Sequence, residues 1–132
     1  MILYLMRHGQ TDWNAEEKVQ GWNDTPLNET GAEQARAAAG KLSGEKIETI
    51  YASDLKRARK SADIISGILD LPVHYTKRLR EMNFGKAEGL KKTIWKRSFP
   101  ISIRLSTTSK TPNATISATP AGKRPAQCSS VL

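Results

Sequence analysis

Acidic residues run out at Glu88. The 132 residues hold 21 Lys and Arg against 13 Asp and Glu, a formal charge of +8. That balance would suit a nucleic-acid or acidic membrane partner, but its distribution removes the reason to expect one. Residues 1–90 carry 13 basic and 13 acidic side chains, and the whole excess lies in residues 91–132. Cysteine is nearly absent: Cys128 stands alone, which excludes an internal disulfide, fits a reducing compartment and leaves that residue without a role. No apolar run is long enough to span a bilayer. No basic leader with an apolar core and a small-residue cleavage site opens the chain, so a cytoplasmic protein is expected. Histidine is scarce, with only His8 and His74, and there is no metal-ligand cluster, P-loop or dinucleotide fingerprint.

What is present begins at the amino terminus. Leu3-Tyr4-Leu5-Met6 is an apolar run that stops abruptly at Arg7-His8-Gly9-Gln10-Thr11. Such a run reads as a buried parallel strand, and ligands in open α/β sheets bind beyond the carboxyl ends of these strands. Arg7 therefore brings a forked cation suited to phosphate, and His8 an imidazole able to act as a nucleophile near neutral pH. Gly9 suits close approach to a ligand or a positive φ.

Downstream, Trp13 to Glu17 suits a short helical turn, and Gln20 to Asn28 a polar loop. A helix is predicted to start near Asn28 or Thr30, with Thr30 and Glu33 in capping-box spacing. Its apolar stripe is Ala32, Ala35, Ala39 and Leu42, and Ser43-Gly44 ends it. Ile47 to Ala52 reads as a second strand, Ser53-Asp54 as the cap of a second helix, and Leu55, Ala58, Ala62, Ile65 and Leu69 as that helix's stripe. Pro72 closes it, and Val73 to Tyr75 forms a third strand. Alternating strands and helices argue for a parallel sheet with helices packed on it. Residues 91–132 are rich in Ser, Thr, Pro, Lys and Arg, with no helical stripe and little alternation beyond Phe99 to Leu105. They read as a flexible basic tail or an irregular cover on the sheet edge.

Arg7-His8-Gly9-Gln10-Thr11 with Asn14, followed in order by Gln20-Gly21-Trp22, Asp24-Thr25-Pro26-Leu27 with Gly31, Ser53-Asp54-Leu55-Lys56-Arg57-Ala58, and Leu79-Arg80-Glu81 with Gly85 and Glu88-Gly89, resembles the histidine phosphatase superfamily, also called phosphoglycerate mutase-like. The resemblance covers about residues 1–90. It implies an α/β three-layer sandwich with a central, mainly parallel sheet, of which residues 1–90 form the N-terminal part and the C-terminal part is missing. It implies hydrolysis of a small phosphomonoester through a phosphohistidine on His8, with Glu81 as general acid, a role that burial beside an apolar wall would favour. Arg7 and Arg57 would clamp phosphoryl oxygens, Arg57 from the anion-binding start of a helix. Asn14, Gln20 and Gly21 complete the phosphate- and substrate-binding set. Glu88 is the competing carboxylate, ranked below Glu81.

No cofactor is implied, unless the chain is the mutase alternative, in which 2,3-bisphosphoglycerate primes His8. The Leu-x-Glu-x-x-Phe-Gly-x-x-Glu-Gly stretch is more similar to the broad-specificity phosphatase branch and also suits an alpha-ribazole phosphatase. His74 lacks the Gly-His-Gly-like context of the family's second catalytic histidine, which the sequence does not otherwise contain. The 132-residue chain is therefore expected to bind phosphate at Arg7, His8 and Arg57 with turnover near background, and a non-catalytic phosphate-binding chain is the rival from another class. Residues 91–132 also admit an out-of-frame reading. Shifting the frame allows Ile94-Trp95-Lys96 to read Met-Glu and Ala118 to Arg124 to read His-Ala-Gly-Gly-Glu-Thr, similar to family segments at about this place. The coding DNA near codon 91 tests this. Neither the particular substrate nor the oligomeric state is legible.

Overall fold

The computed structural model describes residues 1–98, 117–120 and 129–131. The elements run β1 (Ile2–Leu5), α1 (Asp12–Ala15), α2 (Glu29–Leu42), β2 (Thr49–Ser53), α3 (Lys56–Leu69), β3 (Val73–Thr76), single 3-10 turns at Lys77–Leu79 and Gly85–Ala87, α4 (Lys92–Ser98), β4 (Ser117–Pro120) and β5 (Ser129–Val131). The sheet order is β3-β2-β5-β1-β4. All pairings are parallel except that of β1 with β4. This is the expected α/β architecture with a mainly parallel sheet and flanking helices.

Among the described residues, α2 and α3 pack on one face of the sheet. The main core joins Met6, Ile50 and Ala52 from the sheet side to Ala35, Ala38 and Ala39 of α2 and Ala62 and Ile65 of α3. Alanines on the α2 stripe let the helix lie close to its neighbours, while fully buried Ile50 and Ile65 each contribute about 1.5–3 kcal/mol of transfer free energy. Tyr4, Leu42 and Ile47 form a smaller adjoining cluster. Strand β1 is not buried on both faces as its apolar run suggests. Tyr4 and Met6 point inward, but Leu5 is 55% exposed, the simple consequence of period-two alternation.

Boundaries shift where capping chemistry differs from the local pattern. Asn28, not Thr30, caps α2, its side chain accepting from the Gly31 N–H at 2.9 Å. The start of α3 is not capped by Ser53-Asp54. Leu55 is its cap residue and makes no side-chain cap bond. Instead Asp24, from the distant polar loop, accepts from the Lys56 N–H at 2.6 Å. Helix α3 ends at Asp70 in the left-handed region, φ 54°, before Pro72 is reached.

Segment 91–132 contributes more regular structure than its pattern indicates. Helix α4 starts at Lys92, β5 lies between β1 and β2, and β4 flanks β1. Sheet pairing is made by backbone groups, so it can recruit a segment whose side chains show no alternation. Phe99 to Leu105 and Cys128 lie outside the described residues. Among the described residues, no helix is long and apolar enough to cross a membrane, and no group of His, Cys, Asp and Glu could hold a metal ion.

Candidate active site

Parallel pairing decides where the polar motifs meet. Strands β1 and β2 both run parallel to β5, so their carboxyl ends open on the same edge of the sheet. His8 follows β1 there, and Arg57 stands in the first turn of α3, which follows β2. The Arg57 Nε–H donates to His8 Nε2 at 3.2 Å. The other ring nitrogen, Nδ1, lies 2.7 Å from the Gly9 carbonyl oxygen. A carbonyl can only accept, so Nδ1 carries the proton and Nε2 holds its lone pair toward Arg57. Burial is the main cause that pushes His8 down to about 4 from an ordinary 6.5. The Gly9 carbonyl opposes it, and the Arg57 and Arg7 charges add to it. The imidazole is therefore neutral and nucleophilic through the whole physiological range.

Arg57 is only 1% exposed, a depth that a guanidinium tolerates only with its donors satisfied. Nη1 donates to the Asn23 carbonyl at 2.8 Å, and Nη2 to the Gly21 carbonyl at 2.8 Å and the Glu81 carboxylate at 3.2 Å. Burial lowers its pKa, while Glu81 and Asp24 oppose that shift. It stays charged, as guanidinium does in proteins. His8, Arg57 and Glu81 thus form one hydrogen-bonded chain. Arg7 is exposed beside it and has no hydrogen bond or ion pair among the described residues, leaving its fork available to an anion.

Several expected residues sit differently from the sequence reading. Glu81 is not buried: its side chain is 45% exposed and ion-paired with Arg57. Gly9 does not take a positive φ. A Cβ there would lie closer than 3.0 Å to the Gly31 backbone, so Gly9 is where the β1 turn meets the start of α2. Its N–H is spent on Ser61 Oγ, 3.0 Å away. The anion position at the α3 amino terminus is filled by the chain's own Asp24. Asn14 closes a capping box with Thr11, its Oδ1 accepting from the Thr11 N–H at 3.1 Å, which leaves its amide NH2 for a ligand. Gln20 is buried, its Oε1 accepting from the hydroxyls of Thr11, at 2.7 Å, and Thr25. It ties the loop internally. Gly21 has φ +55° and offers its carbonyl to Arg57.

Sequence reasoning missed Asp24, Asp54 and Arg80 as structural partners. Arg80 grips Asp54 through two bonds of 2.6 Å and lies over the Trp22 ring at 4.9 Å. These pairings join residues 26 to 58 positions apart, and no local spacing announces them. Glu88 is held by the backbone N–H groups of Trp22, at 2.8 Å, and Phe84, at 3.2 Å, which explains why it does not compete with Glu81 for Arg57. His74 is exposed on β3 and stacks on Tyr51 with ring centroids 5.1 Å apart.

Residues 3–127 match the histidine phosphatase superfamily (branch 1), and the chain belongs to that family. It is 43% identical over 86 residues to a probable phosphoglycerate mutase, GpmB, of Photorhabdus laumondii, covering 65% of this chain and 40% of that protein. It is also 43% identical over 86 residues to an uncharacterized phosphatase, PhoE, of Bacillus subtilis, covering 65% of this chain and 45% of that one. A solved mycobacterial glucosyl-3-phosphoglycerate phosphatase, in complex with VO3, superimposes with a TM-score of 0.71 at 38% identity, covering 75% of this chain and 47% of that one. The chain spans less than half the length of the curated relatives it matches.

Proposed function

We propose that the chain is a phosphomonoester hydrolase that works through a phosphohistidine on His8. The observation that carries this reading is the His8 ring held with Nδ1 on the Gly9 carbonyl and its Nε2 lone pair facing the Nε–H of the buried Arg57. Phosphoryl transfer asks chiefly for positioning and charge neutralisation, and this arrangement supplies both. The phosphoryl oxygens take up the free fork of Arg7 and the donors that Arg57 now spends on His8 and Glu81, with the Asn14 amide as a neutral third donor. The Nε2 lone pair forms the P–N bond as the P–O bond to the leaving group breaks. Glu81, which takes the proton of the monoanionic ester as the phosphoryl oxygens displace it from Arg57, passes that proton to the leaving oxygen. Water then returns a proton to Glu81 and attacks phosphorus, releasing phosphate and neutral His8. Gln20 and Gly21 serve the site by shaping the loop that holds Arg57.

The substrate is a small phosphorylated metabolite, of the phosphoglycerate-related kind that the names of its relatives carry. A cytoplasmic setting suits such a substrate, and hydrolysis needs no cofactor. The name of the GpmB relative supports a second reading: mutase chemistry primed by 2,3-bisphosphoglycerate on the same His8. Phosphoglycerate turnover that depends on added bisphosphoglycerate and releases no phosphate selects the mutase. The non-catalytic rival is favoured by the lack of any histidine besides His8 and the exposed His74.

The decisive experiment is trapping of an acid-labile phosphoenzyme from labelled phosphomonoesters, with His8→Ala as control. Label on His8 that His8→Ala abolishes supports the reading. Phosphate binding without label supports the non-catalytic rival. In the same assay Glu81→Gln should slow labelling from alkyl phosphates more than from activated aryl phosphates, whose leaving groups depart without protonation. Equal slowing of both refutes Glu81 as the acid.

A further inference from the structure

Glu88 and Trp22 lie outside the hydrogen-bonded chain of His8, Arg57 and Glu81, yet two of its members, Arg57 and Glu81, are attached to their neighbourhood. The loop from Gln20 to Asn23 touches Arg57 on one side, through the Gly21 and Asn23 carbonyls at 2.8 Å each. It touches the Glu81 backbone on the other, where the Trp22 indole N–H donates to the Glu81 carbonyl at 2.7 Å. The same loop is laced to the segment after Glu81. Val19 and Leu90 are joined by a backbone bond of 2.9 Å, and Gly89 and Val19 by one of 2.8 Å. At the centre the Glu88 carboxylate accepts from the Trp22 and Phe84 N–H groups. It lies so close to Gly21 that any Cβ there would come within 3.0 Å of Glu88 Oε1 and of the Phe84 ring.

We infer that Glu88 is a positioning residue: by clamping Trp22 to the Phe84 turn it fixes the distance between the Glu81 carboxyl and the Arg57–His8 pair. The inference rests on the reading of Glu81 as the acid. Two features support it. Two charge-assisted bonds from main-chain donors are stronger than neutral ones, so the clamp can hold the exposed Trp22. Trp22 is also held on its ring face by Arg80, itself locked to Asp54 at the end of β2, so the indole N–H is aimed from two directions. Acid catalysis is sensitive to such placement, since an error of about 1 Å can cost on the order of a hundredfold. Removing the clamp should therefore harm leaving-group protonation more than nucleophilic attack by His8, whose ring also rests on the Gly9 carbonyl.

The test compares the rates of His8 labelling, in single turnovers of the full chain, by an aryl phosphate and an alkyl phosphate. Glu88→Ala and Trp22→Phe should each lower the alkyl-to-aryl ratio by roughly tenfold or more. Glu88→Gln, which keeps an oxygen for both N–H groups, should retain the ratio. Hydrogen exchange at the Trp22 indole N–H, assigned by its loss in Trp22→Phe, reads the clamp without any chemistry. It should be slow in the parent and in Glu88→Gln and fast in Glu88→Ala. An unchanged ratio in Trp22→Phe, or unchanged indole protection in Glu88→Ala, overturns the inference. If Glu88→Ala does not fold, Trp22→Phe and Glu88→Gln decide. A parent chain that takes no label refutes the proposed hydrolase, while the indole exchange still judges the clamp.

Discussion

Replacing Arg57 by Met keeps much of the side-chain stem and removes the guanidinium. The Gly21 carbonyl then loses a charged donor in a buried setting, which costs about 1–3 kcal/mol. The Asn23 carbonyl belongs to an exposed residue and can return to water, so its loss adds about 1 kcal/mol or less. Glu81 is 45% exposed and is not stranded as a buried charge, so the heavy penalty for breaking a buried ion pair does not apply. Relief from burying the cation offsets part of the sum, and a net loss of about 1–3 kcal/mol is expected. That is a substantial share of an ordinary domain's stability. The readout is the urea midpoint at pH 7 with the slope unchanged. His8 should respond as well: its pKa should rise from about 4 yet stay below 6.5, because burial is the larger cause and Arg57 a lesser one. A stability loss below 1 kcal/mol, or a His8 that titrates at its ordinary value, would refute the claim that Arg57 holds both loop and imidazole.

Two further outcomes follow from the same geometry. Gly9→Ala should unfold the protein or cost several kcal/mol, as seen by circular dichroism and denaturant titration, because the new Cβ would meet the Gly31 backbone, which cannot yield as a flexible side chain would; a near-neutral result would contradict the close approach. Stability should also fall as pH drops from 6.5 to about 4, since the unfolded chain binds a proton at His8 in that window and the folded chain does not, a loss of up to about 3 kcal/mol at the low end. His8→Gln should flatten that part of the curve, and an equal slope in both proteins would sink the assignment.

The elements that were legible in sequence are those whose cause is local. The stripes of α2 and α3 repeat at helical spacing, and Ala35, Ala39, Leu42, Ala58, Ala62 and Ile65 are all buried as that spacing requires. The turn after β1 announces itself because an apolar run stops at Arg7-His8-Gly9. The parts that were not legible are long-range exchanges of hydrogen bonds. Asp24 caps a helix that starts 32 residues later, Asp54 is drawn from its expected cap to Arg80, and Glu88 is engaged by Trp22, 66 residues away. Strands β4 and β5 belong to the same class, since their pairing uses backbone groups that every residue carries.

Arg57 shows why such exchanges matter for chemistry. Its two terminal nitrogens hold the carbonyls of the 20–23 loop, while Nε faces His8 and Nη2 is shared with Glu81. The loop contacts and the site contacts therefore use partly different hydrogens of one rigid fork. In the proposed reaction an arriving phosphoryl group would take over the bonds to His8 and Glu81 without releasing the loop, so the cation would stay where the fold has placed it. The cost of burying and orienting it has been met on folding, by carbonyls that do not take part in the reaction. What remains for the ligand is an exchange of acceptors on a fixed donor, the condition under which charge stabilisation requires little reorganisation. In the proposed reaction Glu81, half-exposed and paired among the described residues with Arg57, is the partner that would give way most readily, and its displacement would leave the carboxyl beside the phosphoryl group, where a leaving oxygen needs a proton.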